Sequence, residues 1–428
     1  MAMPVPQILT RTATWTICIL AFLLILWRPR RVPEYVWAAG GAALLLVFHL
    51  IAPADAWSAV RAGSGVYLFL AGMMLLAELA RAHGVFDWLA AVAMDHARAS
   101  QFRLFALVYG IGIVVTALLS NDATAVLLTP AVLAVVRRTR TSPLPYLFAC
   151  AFIANAASFV LPISNPANLV VFDGRLPSLA QWLHIFLLPS IAAVAVTFLV
   201  LWLHSRAELR APITTAMRPA QLPAQLPALG QRAGLGVLLA AAALLTVSAL
   251  GGPVGPATAA AGLAVMLFVA RSRWRIMAAA LKNISWGVIA LVAGLFVMVR
   301  ALDGVGALTL STRGLEAAAP WPTFASAAAT AFGFGIAANA INNLPAGLIG
   351  AAAIKAAHGS TFIHAALLLG INLGPNLSVT GSLATILWLL ALRRENIQVS
   401  GWQFLQVGIL VMLPALLLAV AALLATAH

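Results

Sequence analysis

Residues 104–136 read LFALVYGIGIVVTALLSNDATAVLLTPAVLAVV, an apolar run with Arg103 before it, Arg137 after it, and Ser120, Asn121 and Asp122 at its middle. A helix needs about 20 apolar residues to cross roughly 30 Å of hydrocarbon. The run is too long for one span, and each half is short for a span of its own. Arg at both flanks places both ends on the same, cytoplasmic side under the positive-inside rule. A re-entrant hairpin satisfies both facts, with its polar tip buried in the membrane where it lines a cavity. Two full spans across a thin membrane are the alternative.

The rest of the chain has the same character. Of its 428 residues 63% are hydrophobic and 8% charged, against about a quarter charged in soluble domains. The mean hydropathy is +1.01. Continuous apolar runs rather than alternating ones select helices over a closed barrel, so the fold class is an all-α integral membrane protein. The net charge of +14 comes from Arg clusters between apolar runs, not from the single basic face of a nucleic-acid binder. Cys18 and Cys150 are the two cysteines, and both lie in apolar segments, which argues for neither a disulfide framework nor a thiolate metal site. The first apolar run, 12–27, lacks a clear cleavage site and reads as a retained helix.

Basic clusters at Arg28, Arg30 and Arg31, at Arg137, Arg138 and Arg140, at Arg206, Arg210 and Arg218, at Arg271, Arg273 and Arg275, and at Arg393 and Arg394 mark cytoplasmic ends. Threading through them gives about ten transmembrane helices plus two re-entrant hairpins, with both termini outside. The first half, 1–204, holds helices near 12–27, 33–51 and 66–82, the hairpin at 104–136, a helix at 144–172 broken near Pro162 to Pro166, and a helix at 184–204. A Pro-rich cytoplasmic linker, 205–233, follows. The second half, 234–428, holds helices near 235–250, 256–270 and 284–302, a hairpin at 323–357, a broken helix at 361–391 and a last helix at 404–426. Of the 25 Lys and Arg, only Arg11, Arg61, Arg175, Arg300, Arg313 and Lys355 fall outside in this scheme.

The halves also correspond in letters. SNDATAVLLTP at 120–130 matches INNLPAGLIG at 341–350, and FIANAASFVLPISNPAN at 152–168 matches GINLGPNLSVTGSLAT at 370–385. Two halves of opposite orientation, each with an interrupted hairpin and an interrupted helix, are the pattern of secondary transporters that bind substrate at the midplane. Broken helices leave N–H and C=O groups free in the membrane, and Pro130, Pro162, Pro166, Pro345 and Pro375 keep the breaks open. The candidate substrate-binding residues are Ser120, Asn121, Asp122, Ser164, Asn165 and Asn168 from the first half, and Asn342, Asn343, Thr380, Gly381, Ser382 and Thr385 from the second. The plainer reading of any one Asn or Ser is a tie between helices, about 0.6 kcal/mol each; the symmetric pairing of the set favours a site.

Asp122 is the one carboxylate far from any expected membrane surface, and its partner position in the second half is the neutral Asn343. Burial disfavours a charged carboxylate, so Asp122 is the candidate proton-coupling residue. The alternative is a permanently charged cap of a hairpin helix. Glu78 with Arg81, and Arg300 with Asp303, read as structural ion pairs at helical spacing. The histidines show no metal spacing, and no cofactor or metal is called for.

At these motifs the sequence resembles the ArsB family of arsenite efflux permeases, within the wider ion-transporter superfamily that also holds sodium-coupled carboxylate carriers and sodium/proton antiporters. The likeness runs over nearly the whole chain and is densest in LGPNLSVTGSLATILWLLALRRENIQVS, 373–400, NDATAVLLTP, NNLPAGLIG and the SNPAN break. It implies export of arsenite and antimonite across the inner (plasma) membrane, driven by protons or by an ArsA-type partner ATPase. At neutral pH arsenite is mostly the uncharged trihydroxide, which suits a pocket of amide, hydroxyl and backbone groups. The competing readings are a sodium-coupled anion or dicarboxylate symporter, a sodium/proton antiporter, and an intramembrane hydrolase. For the last, GSG at 63–65 supplies a serine, but no His or acid sits at a compatible depth and HExxH is absent.

Overall fold

The computed structural model describes residues 5–27, 29, 32–139, 141–172, 174–213, 225–271 and 273–426. Arg28, Arg30, Arg31, Arg140 and Arg218 of the basic clusters, and residues 214–224 of the linker, lie outside the described residues.

The helices run in chain order as α1 Val5–Trp27, α2 Glu34–Val47, α3 Pro53–Ala62, α4 Ser64–Ala82, α5 Val85–His96, α6 Gln101–Leu118, α7 Asn121–Ala123, α8 Thr129–Val136, α9 Leu144–Ala156, α10 Pro166–Val171 and α11 Leu179–Leu209. They continue as α12 Ala228–Ala249, α13 Val254–Ala270, α14 Trp274–Asn283, α15 Trp286–Gly304, α16 Ala307–Ala318, α17 Thr323–Ile341, α18 Asn343–Ala356, α19 Thr361–Leu373, α20 Leu383–Arg394 and α21 Gly401–Leu424. Among the described residues, α4, α6, α11, α12, α15, α17 and α21 are long and apolar enough to cross a membrane. Shorter apolar helices lie at Leu9–Ile25, Glu34–Val47, Leu144–Ala156, Val254–Ala270 and Thr361–Leu377. This is a multi-pass, all-α membrane protein.

Local chemistry sets the helix ends. Ser178, Ser382 and Ser400 form capping boxes with Gln181, Thr385 and Gln403, which satisfy backbone donors that a helix start leaves free. Pro53 and Pro166 stand in first turns, where a missing N–H removes no helix bond, whereas Pro130 lies in α8, which follows the helical turn Thr124–Leu128 directly, and opens no break there. Four short helices, α3, α5, α14 and α16, were not expected from hydropathy. Each is 10 to 12 residues long and carries charge at its surface.

Packing exchanges partners between the halves. α4 packs along α13, and α2 along α15. The α4–α13 contact is close because a Cβ on Gly255 would stand 2.2 Å from the Gly65 carbonyl oxygen; only glycine admits that approach, as at other membrane helix crossings. The arm α6 packs on α9 as α17 packs on α19, and α11 lies against α21. The half-helix after the first break, α10, packs on α18; the one after the second, α20, packs on α7 and α8. Each half-helix therefore rests on the hairpin of the other half, which brings both tips and both breaks together. The expected ion pairs form as well: Arg81 meets Glu78 through two bonds of 2.7 Å, and Arg300 reaches Asp303 at 3.1 Å and Asp55 at 3.0 Å.

Candidate functional site

Each hairpin tip is a helix start of unusual backbone. At the first, Ser120 is fully extended and its Oγ accepts from the Ala123 N–H at 3.1 Å. A π-helical turn over Thr124–Leu128 follows, and such turns recur at functional positions. At the second, the single residue Asn342 joins α17 to α18 with φ 76° and ψ 154°. That region belongs to glycine, and holding another residue there costs about 1–3 kcal/mol. The Asn342 Oδ1 accepts from the Leu344 N–H at 3.4 Å.

The breaks hold the tips by matching bonds. The Asn121 N–H donates to the Ser164 carbonyl at 3.1 Å, and the Asn343 N–H to the Gly381 carbonyl at 3.0 Å. The Ser164 Oγ donates back to the Ala117 carbonyl in α6 at 3.1 Å. In the second half the Thr380 Oγ1, from the residue before Gly381, donates to the Asn339 carbonyl in α17 at 3.1 Å. The half-helices then begin on capping side chains: the Asn165 Oδ1 accepts from the Ala167 N–H at 2.9 Å, and the Ser382 Oγ from the Thr385 N–H at 3.2 Å.

All twelve residues singled out by sequence lie at these tips, breaks and caps. Ser120, Asn121, Ser164, Asn165, Asn168, Asn342, Asn343, Gly381, Ser382 and Thr385 are buried; Thr380 and Asp122 are half-buried. The Asp122 carboxylate makes no hydrogen bond or ion pair among the described residues, although its N–H donates to the Asn121 Oδ1 at 3.0 Å. Cys18 and Cys150 are free, buried thiols.

Sequence reasoning missed the polar groups between the breaks. Asn155 and Ser158 of the first broken helix meet Asn372 and Asn376 of the second, and all four are at most 1% exposed. The Asn155 Nδ2 donates to the Asn376 Oδ1 at 2.9 Å, and the Asn165 Nδ2 to the Asn372 Oδ1 at 2.7 Å. The Asn376 Nδ2 is a buried donor with no partner among the described residues; leaving such a group unpaired costs about 1–3 kcal/mol. Half-buried Ser378 adds a hydroxyl donating to the Asn339 Oδ1 at 2.6 Å. The signal was present in the matched strings, because Asn155 precedes Asn165 by the same spacing as Asn372 precedes Ser382. Single amides inside apolar helices look like ordinary helix ties, which is why spacing and not residue type marks them.

A cavity of about 1350 Å³ opens between α3 and α15 on one side and α10 and α18 on the other. Its walls include Arg175, Arg300 and Lys355, and it reaches Val170 and Val171 of α10 and Leu348 of α18. Asn168 lies less than one helical turn from Val170 on the same helix. The cavity thus reaches the half-helix that follows the first break.

A family model described as Citrate transporter matches residues 22–373. The arsenical pump membrane protein of Yersinia enterocolitica is 29% identical over 421 residues, covering 95% of this chain and 97% of that protein. The arsenical pump membrane protein of Escherichia coli K12 is 28% identical over 419 residues, with the same coverage. The crystal structure of the Alcanivorax borkumensis YdaH transporter, described as having an unusual topology, superposes with a TM-score of 0.58 over 98% of both chains at 15% identity; at that identity the likeness concerns the fold alone. The sequence matches agree with the resemblance drawn from the motifs.

Proposed function

This membrane transporter belongs to the citrate transporter family, and from that premise we propose that it exports arsenite, and antimonite with it, from the cytoplasm in exchange for protons. The observation that carries the reading is the make-up of the site: the bonds joining tips and breaks use amide, hydroxyl and backbone groups. No Lys or Arg occurs in 104–136, 141–174, 323–354 or 356–392. A neutral trihydroxide, which both donates and accepts hydrogen bonds, fits such a lining better than a di- or tricarboxylate, whose charge must be offset. The names of the relatives point to the same substrate.

In this reading the halves are inverted repeats, with α6 to α8 and α17 to α18 as re-entrant hairpins. Asp122 exchanges the proton, and the unpaired Asn376 Nδ2 gives a substrate oxygen a donor. The cavity beside Arg175, Arg300 and Lys355 is the outward vestibule, since the charge scheme puts those three cations outside. The tips and breaks move past the α2, α4, α13 and α15 scaffold to alternate access. An ArsA-type ATPase would bind the cytoplasmic side, and its presence would add to the proton drive rather than replace the site.

The test is arsenite accumulation in everted membrane vesicles energised by respiration, without sodium and without ATP. Accumulation that a protonophore abolishes is the expected result. A strict sodium requirement, or uptake of citrate in place of arsenite, would overturn it in favour of a sodium-coupled anion symporter.

A further inference from the structure

The two half-sites are tied to each other by a reciprocal pair of amides. Asn372 sits within α19, 1% exposed, and every hydrogen-bonding position of its side chain is used. Its Oδ1 accepts from the Asn165 Nδ2 at 2.7 Å and from the Ser158 Oγ. Its Nδ2 donates to the Asn168 Oδ1 at 3.2 Å and to the Leu368 carbonyl at 2.9 Å. An amide has two acceptor positions and two N–H donors, so none is left over, and three of the four bonds reach the first half of the chain. Asn165 caps α10. Asn168 gathers the Ser158, Pro162 and Leu161 carbonyls of the first break at 3.0, 3.3 and 3.4 Å. Asn372 thus grips both the cap and the turn of the opposite half.

Asn155, its counterpart in α9, does the converse. Its Nδ2 donates to the Asn376 Oδ1 at 2.9 Å, and its Oδ1 accepts from the Ser382 Oγ at 3.4 Å. Ser382 caps α20 as Asn165 caps α10. The asparagine ahead of each break therefore bonds the residue that starts the half-helix after the other break. Isolated helix ties need no such exchange, and buried hydrogen-bond networks restrict the arrangement of the groups they join.

We propose that Asn372 and Asn155 are positioning residues that interlock the two half-sites, so that both breaks adopt their binding arrangement together. The proposal rests on the reading of the breaks as the substrate site. Asn372, with the shorter bond to its cap, carries more of the coupling than Asn155, whose bond to Ser382 is long. Without the interlock each break is still tethered to its own hairpin tip through Asn121 or Asn343, but the two tethers no longer report to one another.

A double-mutant cycle tests this in proteoliposomes containing the purified full chain, with arsenite as the transported probe. Asn372→Ala and Asn165→Ala are each expected to lower the transport rate at least tenfold, and the double variant to be no slower than the slower single one. A double variant slower by the product of the two single effects would overturn the interlock. Asn372→Asp supplies a readout that a purely structural role would not move. Its protonated carboxyl can donate to Asn168 as the amide does, and its carboxylate cannot. The bonded neighbours Ser158, Asn165, Asn168 and Leu368 are not titratable, so activity relative to wild type at the same pH is expected to rise as pH falls. A flat ratio across pH would count against the proposal. If the wild-type protein carries citrate and not arsenite, the substrate assignment fails, and the same cycle read on citrate still decides the interlock.

Discussion

At the residue scale, the candidate site holds one carboxylate among neutral groups. Asp122 stands at the first tip, half-buried and without an ion-pair partner among the described residues; the matching tip bonds of Asn121 and Asn343 make Leu344, not the expected Asn343, its counterpart at the second. In the proposed exchange this difference makes only the first half carry the proton. Asp122→Asn keeps the size and the backbone bonds of the tip, so the protein is expected to fold normally and to lose at least tenfold in proton-driven arsenite uptake, together with its pH dependence. Flux and pH dependence equal to wild type would remove Asp122 from the proton path. The candidate site was legible in sequence where residues sit at interruptions, as Ser164, Asn165, Gly381 and Ser382 do. Asn155, Asn372 and Asn376 were not, because within an apolar helix nothing local separates a member of a network from a lone tie.

At the scale of elements, the breaks depend on helices that approach more closely than side chains allow. A Cβ on Gly370 would stand 2.2 Å from the Ala331 carbonyl oxygen, where α19 crosses α17, while one on Gly333 would meet nothing within 4 Å. Gly370→Ala forces two backbones apart and is expected to lower stability by about 1–3 kcal/mol or more. Gly333→Ala, on the same helix pair, is expected to be neutral or stabilising by up to about 1 kcal/mol, the ordinary helix preference for Ala. Thermal unfolding in detergent checks both. The long apolar helices and both interruptions could be read from hydropathy, Pro and Asn alone. The helices α3, α5, α14 and α16 could not, since 10 to 12 residues with a charged face resemble loops when only runs of about 20 apolar residues are sought.

At the scale of the whole molecule, the halves exchange partners throughout: α4 with α13, α2 with α15, α10 with α18, and α20 with α7 and α8. Hydropathy sees each helix singly, so this cross-packing was beyond it, although the matched strings hinted at two related units. Near the end of α8, Arg137 donates to the Glu395 carboxylate at 2.5 Å, which joins the first hairpin to the residue that follows α20. The proposed inverted topology places Arg137 at the cytoplasmic face and Lys355 at the opposite one. Single cysteines at these positions separate the faces, because Cys18 and Cys150 are buried. A membrane-impermeant maleimide is expected to label Lys355→Cys in intact cells and Arg137→Cys only in everted vesicles. Labelling of both from one side would contradict the inversion of the halves.

The most direct measurement of the central claim uses the purified protein alone in liposomes that enclose a pH-sensitive dye. In sodium-free buffer, adding arsenite on one side is expected to move protons against the arsenite flow and shift the enclosed pH. A protonophore should dissipate that shift, and Asp122→Asn should not produce it. Arsenite flux with no proton movement, or none at all until sodium is supplied, would contradict the account.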